Sequence, residues 1–250
     1  MIVSWNGITN PGRIKKINQD SLYCNTTPDQ NAGVFVVADG VGGLDSGEVA
    51  SQTAVAEVEA WWQEYILEGN PGDTESTVDA LSQLIFTINQ KIQSINQDSE
   101  KSSATTFSLL LIYKNRYYAA HVGDSRIYAV DKRNADFVRL LQVTRDHSKA
   151  VLREVNGKRF VQNMLTDGLG YRKSINCDCS YGFITDETRS FVLCSDGVYK
   201  RQSEDVIIDI IKANNFEPEA VCEVLIDNAM KLGETDNITA VLVNTEDVVG

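Results

Sequence analysis

Four Asp residues stand at the ends of four apolar runs, and this pattern constrains the chain more than any other. Asp39 closes Val34-Phe35-Val36-Val37-Ala38 and precedes Gly40, and Asp124 follows Ala120-His121-Val122-Gly123. Asp196 follows Phe191-Val192-Leu193-Cys194-Ser195 and precedes Gly197, while Asp236 opens Asn237-Ile238-Thr239-Ala240-Val241. Short β-branched runs bounded by turn residues read as buried strands. One Asp-Gly after a strand is only a turn signal. With the strands side by side, however, the carboxylates fall on one edge of a sheet. A partly buried cleft does not gather that much negative charge without a cation. The pattern reads as a site for hard divalent metals. Carboxylates, a carbonyl and waters suit Mg²⁺ or Mn²⁺, and no Cys/His set is present to favour zinc.

At 250 residues the chain suits one large domain or two small ones. Its net charge of -12, with no basic stripe to offset it, argues against a nucleic-acid or anionic-membrane partner. The start, Met1-Ile2-Val3-Ser4-Trp5-Asn6-Gly7, lacks the basic and apolar make-up of a signal peptide, and no run is apolar enough to span a bilayer. A cytoplasmic monomer is expected. The five Cys (Cys24, Cys177, Cys179, Cys194, Cys222) are odd in number and fit no zinc spacing, so a structural or incidental role is expected for them. Cys194 sits inside an apolar run and reads as a small buried hydrophobe.

Strands are predicted over residues 2–9, 21–25 and 33–39, then helices over 47–67 and 77–96, with Pro71-Gly72 as the turn between them. A second block of strands follows over 107–113, 116–122, 126–131 and 137–141, with Lys114-Asn115 as a hairpin turn. The stretch 147–170 has no clear period. Strands resume at 179–184 and 190–194, helices at 204–213 and 218–232, and a last strand runs over 238–244. This order predicts an α+β fold, a four-layer α-β-β-α sandwich of two packed antiparallel sheets, each covered by a helix pair. The first and last strands can share a sheet, which makes residues 1–250 a single domain.

Six short motifs appear in order: Asn18-Gln19-Asp20-Ser21, Asp39-Gly40-Val41-Gly42-Gly43, Gly123-Asp124-Ser125-Arg126, Leu141-Gln142-Val143-Thr144-Arg145-Asp146-His147-Ser148, Ser195-Asp196-Gly197 and Asp236-Asn237-Ile238-Thr239. Together they resemble, over nearly the full length, the bacterial-type metal-dependent protein Ser/Thr phosphatases (the PPM, or protein phosphatase type 2C, family). The resemblance implies the sandwich fold with a two-metal centre at one end. It implies that Asp39 bridges the metals, that the Gly40 carbonyl ligates one of them, and that Asp196 and Asp236 ligate the other. It further implies that Asp124, with Asp196, holds a weaker third ion and that Asp20 acts through metal-bound water. The implied reaction is Mg²⁺- or Mn²⁺-dependent hydrolysis of phosphoserine and phosphothreonine in proteins by a metal-activated water, reversing a Ser/Thr kinase. Its implied partners are phosphorylated proteins, the kinase itself among them. Such a reaction needs roughly 20 kcal/mol or more of transition-state stabilisation, and two metals can activate a water and neutralise the phosphoryl oxygens.

By the same resemblance, Lys15 stands where the family usually has a phosphate-binding Arg. Lys binds phosphate as a point charge without the bidentate fork. Arg13 lies on the same face if the segment is extended, and the alternative for both is a solvated basic run. The chain departs from the family pattern elsewhere. Val41 stands where some eukaryotic members have a His proposed as general acid. Gln19 replaces a common Glu. Ser103-Ala104-Thr105-Thr106 replaces Gly-Thr-Thr, with little consequence expected. The flap segment, 149–163, looks short. His121 reads either as a partner behind the site or as a core His bonded to backbone, and His147 as structural. Gly40, Gly42 and Gly43 read as a tight turn beside the metal rather than as a phosphate cradle, because no Gly-Lys-Ser/Thr follows. Three alternatives compete with the enzyme: a catalytically silent partner-binding protein of the same fold, a phosphatase dedicated to one anti-sigma-antagonist-type regulator, and a zinc- or calcium-binding structural module. The retained Asp set disfavours the first.

Overall fold

The hydrophobic periods translate into elements with few changes. The computed structural model describes residues 1–41, 46–69, 71–99, 102–134, 137–155 and 158–247. Strands β1 (Ile2–Asn10), β2 (Asp20–Thr26) and β3 (Gly33–Asp39) lead into helices α1 (Gly47–Trp61) and α2 (Thr74–Gln97). Then come β4 (Phe107–Tyr113), β5 (Arg116–Val122), β6 (Arg126–Lys132), β7 (Val138–Gln142), β8 (Ser148–Val155), β9 (Lys158–Leu165), β10 (Asp178–Phe183) and β11 (Thr188–Cys194). The one-turn α3 (Asp196–Tyr199), α4 (Glu204–Ala213), α5 (Pro218–Lys231) and β12 (Ile238–Glu246) complete the order.

Two five-stranded sheets form, in the orders β1-β12-β11-β6-β7 and β10-β5-β4-β3-β2, and every pairing in them is antiparallel. The first and last strands do share a sheet, with Ile2 opposite Glu246 and Asn10 opposite Ile238. Alternation along each strand divides its side chains between two layers. In β3, Val34, Val36 and Ala38 pack under α1 and α2, while Phe35 and Val37 face the other sheet. In β12, Ala240 and Leu242 pack against the layer of α4 and α5, while Val241 and Val243 join Phe35 between the sheets. These strands are buried on both faces, which is why they read as continuous apolar runs rather than alternating ones. The result is the α-β-β-α sandwich expected from the sequence. Among the described residues no helix is long and apolar enough to cross a membrane.

Local chemistry sets the boundaries. Lys114 and Asn115, at φ 51° and 57°, make the tight β4–β5 turn, the conformation that matches the twist of a two-residue hairpin. Asp73 caps α2 by accepting from the Ser76 amide at 3.0 Å, and Ser203 caps α4 at the Val206 amide. Pro218 occupies the first turn of α5, where its missing N–H costs nothing.

Two segments differ from the sequence reading. The single helix expected over 47–67 changes after Trp61 into a wider π-helical turn, Trp62–Leu67, in which the Glu68 amide reaches back to the Gln63 carbonyl at 3.0 Å. The wider turn buries both Trp62 and Ile66. Trp61 stays partly exposed and stacks on Tyr65 with ring centroids 5.0 Å apart. The stretch without a clear period contains a separate two-stranded hairpin, β8–β9, spanning the expected flap. Leu152 and Val161 lie opposite each other on it and are mostly exposed. None of the described side chains on these strands is buried, so they leave no hydrophobic period to read.

The two tryptophans give a direct test of this packing. Trp62→Ala empties a fully buried site and should cost about 3–5 kcal/mol, while Trp61→Ala, losing a half-exposed stack, should cost about 1 kcal/mol. Urea unfolding of both variants checks this, and equal costs would contradict the assigned register.

Candidate active site

Antiparallel pairing brings the strand ends together. Asp39 ends β3 and lies directly opposite Asp20 at the start of β2. In the other sheet, Cys194 at the end of β11 pairs with Ala240 near the start of β12, so Asp196 and Asp236 flank the same end. Asp124 lies in the short crossing from β5 to β6, between the sheets. Asp39 thus stands within electrostatic reach of Asp20, Asp196, Asp124 and Asp236.

Asp20 clasps the two sheets. Its Oδ2 accepts from the Ser195 hydroxyl at 2.8 Å and the Thr239 hydroxyl at 2.6 Å, both from the opposite sheet. Its Oδ1 is buried and has no hydrogen-bond partner among the described residues. Asp39 is held through its backbone: its amide donates to Thr106 Oγ1 at 2.9 Å, and its carbonyl accepts from the Thr106 amide at 2.8 Å. Thr106 Oγ1 also lies 2.7 Å from Ser125 Oγ, beside Asp124. Gly40 donates to the Gln19 carbonyl at 3.0 Å and bridges to Thr105. A Cβ at Gly40 would come within 2.6 Å of the Gln19 and Gly47 carbonyl oxygens, so only glycine fits this crossing of chains. Ala104, the departure expected to matter little, is buried and accepts from the Val41 amide at 2.9 Å.

Asp124 is aimed by its neighbours. Gly123 adopts φ 119°, and a Cβ there would meet Thr106 at 2.6 Å. Both histidines frame this turn. His121 is buried, with Nδ1 2.9 Å from Ser108 Oγ and Nε2 3.0 Å from the Gly123 carbonyl. Burial and the neighbouring His147 push its pKa down to about 4. His147 accepts the Gly123 N–H at Nδ1 (3.2 Å) and meets Asp178 through Nε2 (3.2 Å). His121 thus bonds to backbone and at the same time stands behind the Asp124 turn, and His147 is bonded into that turn as well. Arg126 and Asp146 form a two-point ion pair, with Arg126 Nη2 2.7 Å from Asp146 Oδ2. The Arg126 guanidinium lies 3.7 Å from the ring centre of Tyr199, whose hydroxyl donates to the Asp124 carbonyl at 2.8 Å.

The electrostatics are those of crowded like charge. Burial first, then the Asp20, Asp196, Asp124 and Asp236 charges, raise the Asp39 pKa well above its ordinary value. Burial pushes Asp20 up to about 6 against the opposing Thr239 and Ser195 bonds. Burial and Asp196 push Asp124 to about 6. Burial also raises Asp196, whose Oδ1 is buried and has no hydrogen-bond partner among the described residues.

Among the described residues no three His, Cys, Asp or Glu side chains stand at the spacing of a finished metal site. Two ammonium groups take up carboxylates instead. Lys15 Nζ lies 3.2 Å from Asp236 Oδ1, and Lys200 pairs with Asp196. Cations are therefore already drawn to this end, where Asp20 Oδ1 and Asp196 Oδ1 remain without partners among the described residues. That donor set fits hard divalent ions. Arg13 is exposed and has no ion pair among the described residues. Gly42 and Gly43 lie outside the described residues.

The roles of two residues escaped the sequence reading. Asn237 is buried, accepts the Gln19 amide at 2.9 Å, and donates to the Pro11 and Ile17 carbonyls at 3.0 and 3.2 Å. It thereby pins the loop that carries Arg13 and Lys15 beside Asp236. Lys200, four residues beyond Asp196, carried no motif signal, although that spacing on a helix brings two side chains together.

Comparison with known proteins agrees with this architecture. The family model described as protein phosphatase 2C matches residues 13–245. A serine/threonine phosphatase stp of Listeria welshimeri is 30% identical over 253 residues, covering 94% of this chain and 93% of its own. The protein phosphatase PhpP of Streptococcus pneumoniae is 30% identical over 255 residues, covering 96% and 97%. The crystal structure of the serine/threonine phosphatase Stp1 from Staphylococcus aureus superposes with a TM-score of 0.82 at 20% identity, covering 99% of this chain and 96% of that one. The chain belongs to the protein phosphatase 2C family and is, by that membership, a protein phosphatase.

The raised carboxylates predict a pH effect on stability in chelator. The unfolded Asp20 titrates near 3.8 and the folded one at about 6, so the folded state binds the extra proton between those values. Stability from this group is full below about 3.8 and is lost as pH rises through 6. Asp20→Asn removes the effect. Its melting temperature relative to wild type should therefore climb from pH 4 to 6.5, by an amount equivalent to at most about 3 kcal/mol. A difference independent of pH would contradict the burial of Asp20.

Proposed function

We propose that the chain is a Mg²⁺- or Mn²⁺-dependent phosphatase of phosphoserine and phosphothreonine in proteins, a single catalytic domain over residues 1–250 that reverses a cytoplasmic Ser/Thr kinase. The observation that carries the metal requirement is the gathering of four carboxylates around Asp39, with buried oxygens on Asp20 and Asp196 that have no partner among the described residues. Asp39, the Gly40 carbonyl, Asp196 and Asp236 are assigned as the residues that hold the ions, with Asp20 behind them. Bound divalent ions supply positive charge against the phosphoryl oxygens and acidify the attacking water.

The protein's own groups position these charges. Thr106 fixes the Asp39 backbone, and Ser195 and Thr239 fix Asp20. Asn237 holds the 11–19 loop at the mouth of the site. On that loop Lys15 faces Asp236, close enough to meet a substrate phosphate drawn to the same cations. Arg13 lies two residues away and serves as the second basic candidate. Val41 provides no acid: its side chain cannot transfer a proton, and its amide is occupied by the Ala104 carbonyl.

The experiment is a phosphothreonine-peptide assay with controlled metal. Activity should vanish in chelator and return with Mn²⁺ or Mg²⁺. Asp39→Asn should lower turnover by at least ~100-fold with an unchanged fold by circular dichroism. Full activity in chelator, or a fully active Asp39→Asn, overturns the reading.

Lys15 receives its own test. A charge-assisted contact to phosphate is worth roughly 1.5–3 kcal/mol. Lys15→Ala should therefore lower kcat/KM about tenfold or more through KM, and Lys15→Arg should preserve it. Unchanged kinetics in Lys15→Ala with a large defect in Arg13→Ala transfers the role to Arg13.

A further inference from the structure

Lys200 is the least expected charge at this end of the molecule. It follows Asp196 by four residues across the single turn of α3, and its backbone amide closes that turn on the Asp196 carbonyl at 2.9 Å. A helical side chain at that spacing lies over the earlier one, and the Lys200 ammonium is ion-paired with Asp196 Oδ2. The turn is held on its other side by Tyr199, which donates to the Asp124 carbonyl at 2.8 Å and lies under the Arg126 guanidinium. Lys200 is therefore tied to Asp196 through both backbone and side chain, on a turn that Tyr199 joins to the Asp124 backbone.

The charges acting on it point the same way. Burial works against the ammonium, and Asp196, then Asp39 and Asp124, outweigh it. Conversely, the Lys200 charge is the strongest influence holding the Asp124 and Asp196 pKa values down against burial. Lys15 is different: it pairs with Asp236 from a loop rather than a one-turn helix.

Resting on the divalent-metal reading above, we propose that Lys200 is a tethered cation for the Asp124–Asp196 end of the cluster, where its ammonium takes the place of a third divalent ion. The two ions of the core then need Asp39, Asp196 and Asp236, while Asp124 serves as the second carboxylate facing Lys200. This accounts for a carboxylate at position 124 without asking it to ligate metal.

The test counts ions rather than turnover. Full-length wild type, Lys200→Ala and Lys200→Arg are titrated with Mn²⁺, and the bound ions are counted from the loss of the free Mn²⁺ paramagnetic resonance signal, with thermal melts confirming folding. Wild type and Lys200→Arg should bind two ions, and Lys200→Ala three. Three ions in wild type, or two in Lys200→Ala, overturns the proposal while leaving the metal reading intact. No bound Mn²⁺ in any of them overturns the metal reading, and this inference with it. Should Lys200→Ala fail to fold, Lys200→Gln keeps the stem, removes the charge, and carries the same expectation of a third ion.

Discussion

Repulsion among buried carboxylates is the constraint on which the rest of the structure depends. Asp39 faces Asp20, Asp124, Asp196 and Asp236 at one end of a pair of packed sheets. Left alone, such an assembly would protonate or spread. The fold resists both with neutral partners: the hydroxyls of Ser195 and Thr239 donate to Asp20, and Thr106 accepts from the Asp39 amide and donates its own amide to the Asp39 carbonyl. The bonds to Asp20 cross from one sheet to the other, so the clasp that tolerates the charge also locks the layers together. The cost, of burial first and of crowding after it, is visible in raised carboxylate pKa values, which a bound cation reverses.

The layers behind the site serve this end. β3 and β12 are buried on both faces, and that rigidity fixes where Asp39 and Asp236 stand. The crossing from β5 to β6 is shaped by Gly123 and braced by the two histidines. Tyr199 and the Arg126–Asp146 pair brace the neighbouring turn. Several short motifs in the sequence therefore act as struts. Arg126, Asp146 and His147 hold the loop on which Asp124 sits.

Much of this architecture is legible in the amino-acid sequence. Doubly buried strands announce themselves as apolar runs, and the helix stripes place α2 and α5 within a few residues. The carboxylates are legible because each interrupts such a run at its end. The hairpin 148–165 is not, since Leu152 and Val161 face solvent and no period marks an exposed strand. The π-helical turn is hidden because a one-residue widening leaves the spacing of Trp62 and Ile66 helical. Asn237 and Lys200 are silent for a different reason. Their roles depend on which loop or turn folds back on them, and a linear spacing does not carry that information.

The central claim is that the carboxylate end is a divalent-cation site built around Asp39. Anomalous diffraction from crystals grown with Mn²⁺ tests it most directly. The account predicts anomalous peaks in contact with the Asp39 carboxylate and within reach of Asp196 and Asp236, with Lys15 displaced from Asp236. Ordered crystals in saturating Mn²⁺ with no peak at Asp39, and Lys15 still paired with Asp236, would contradict it.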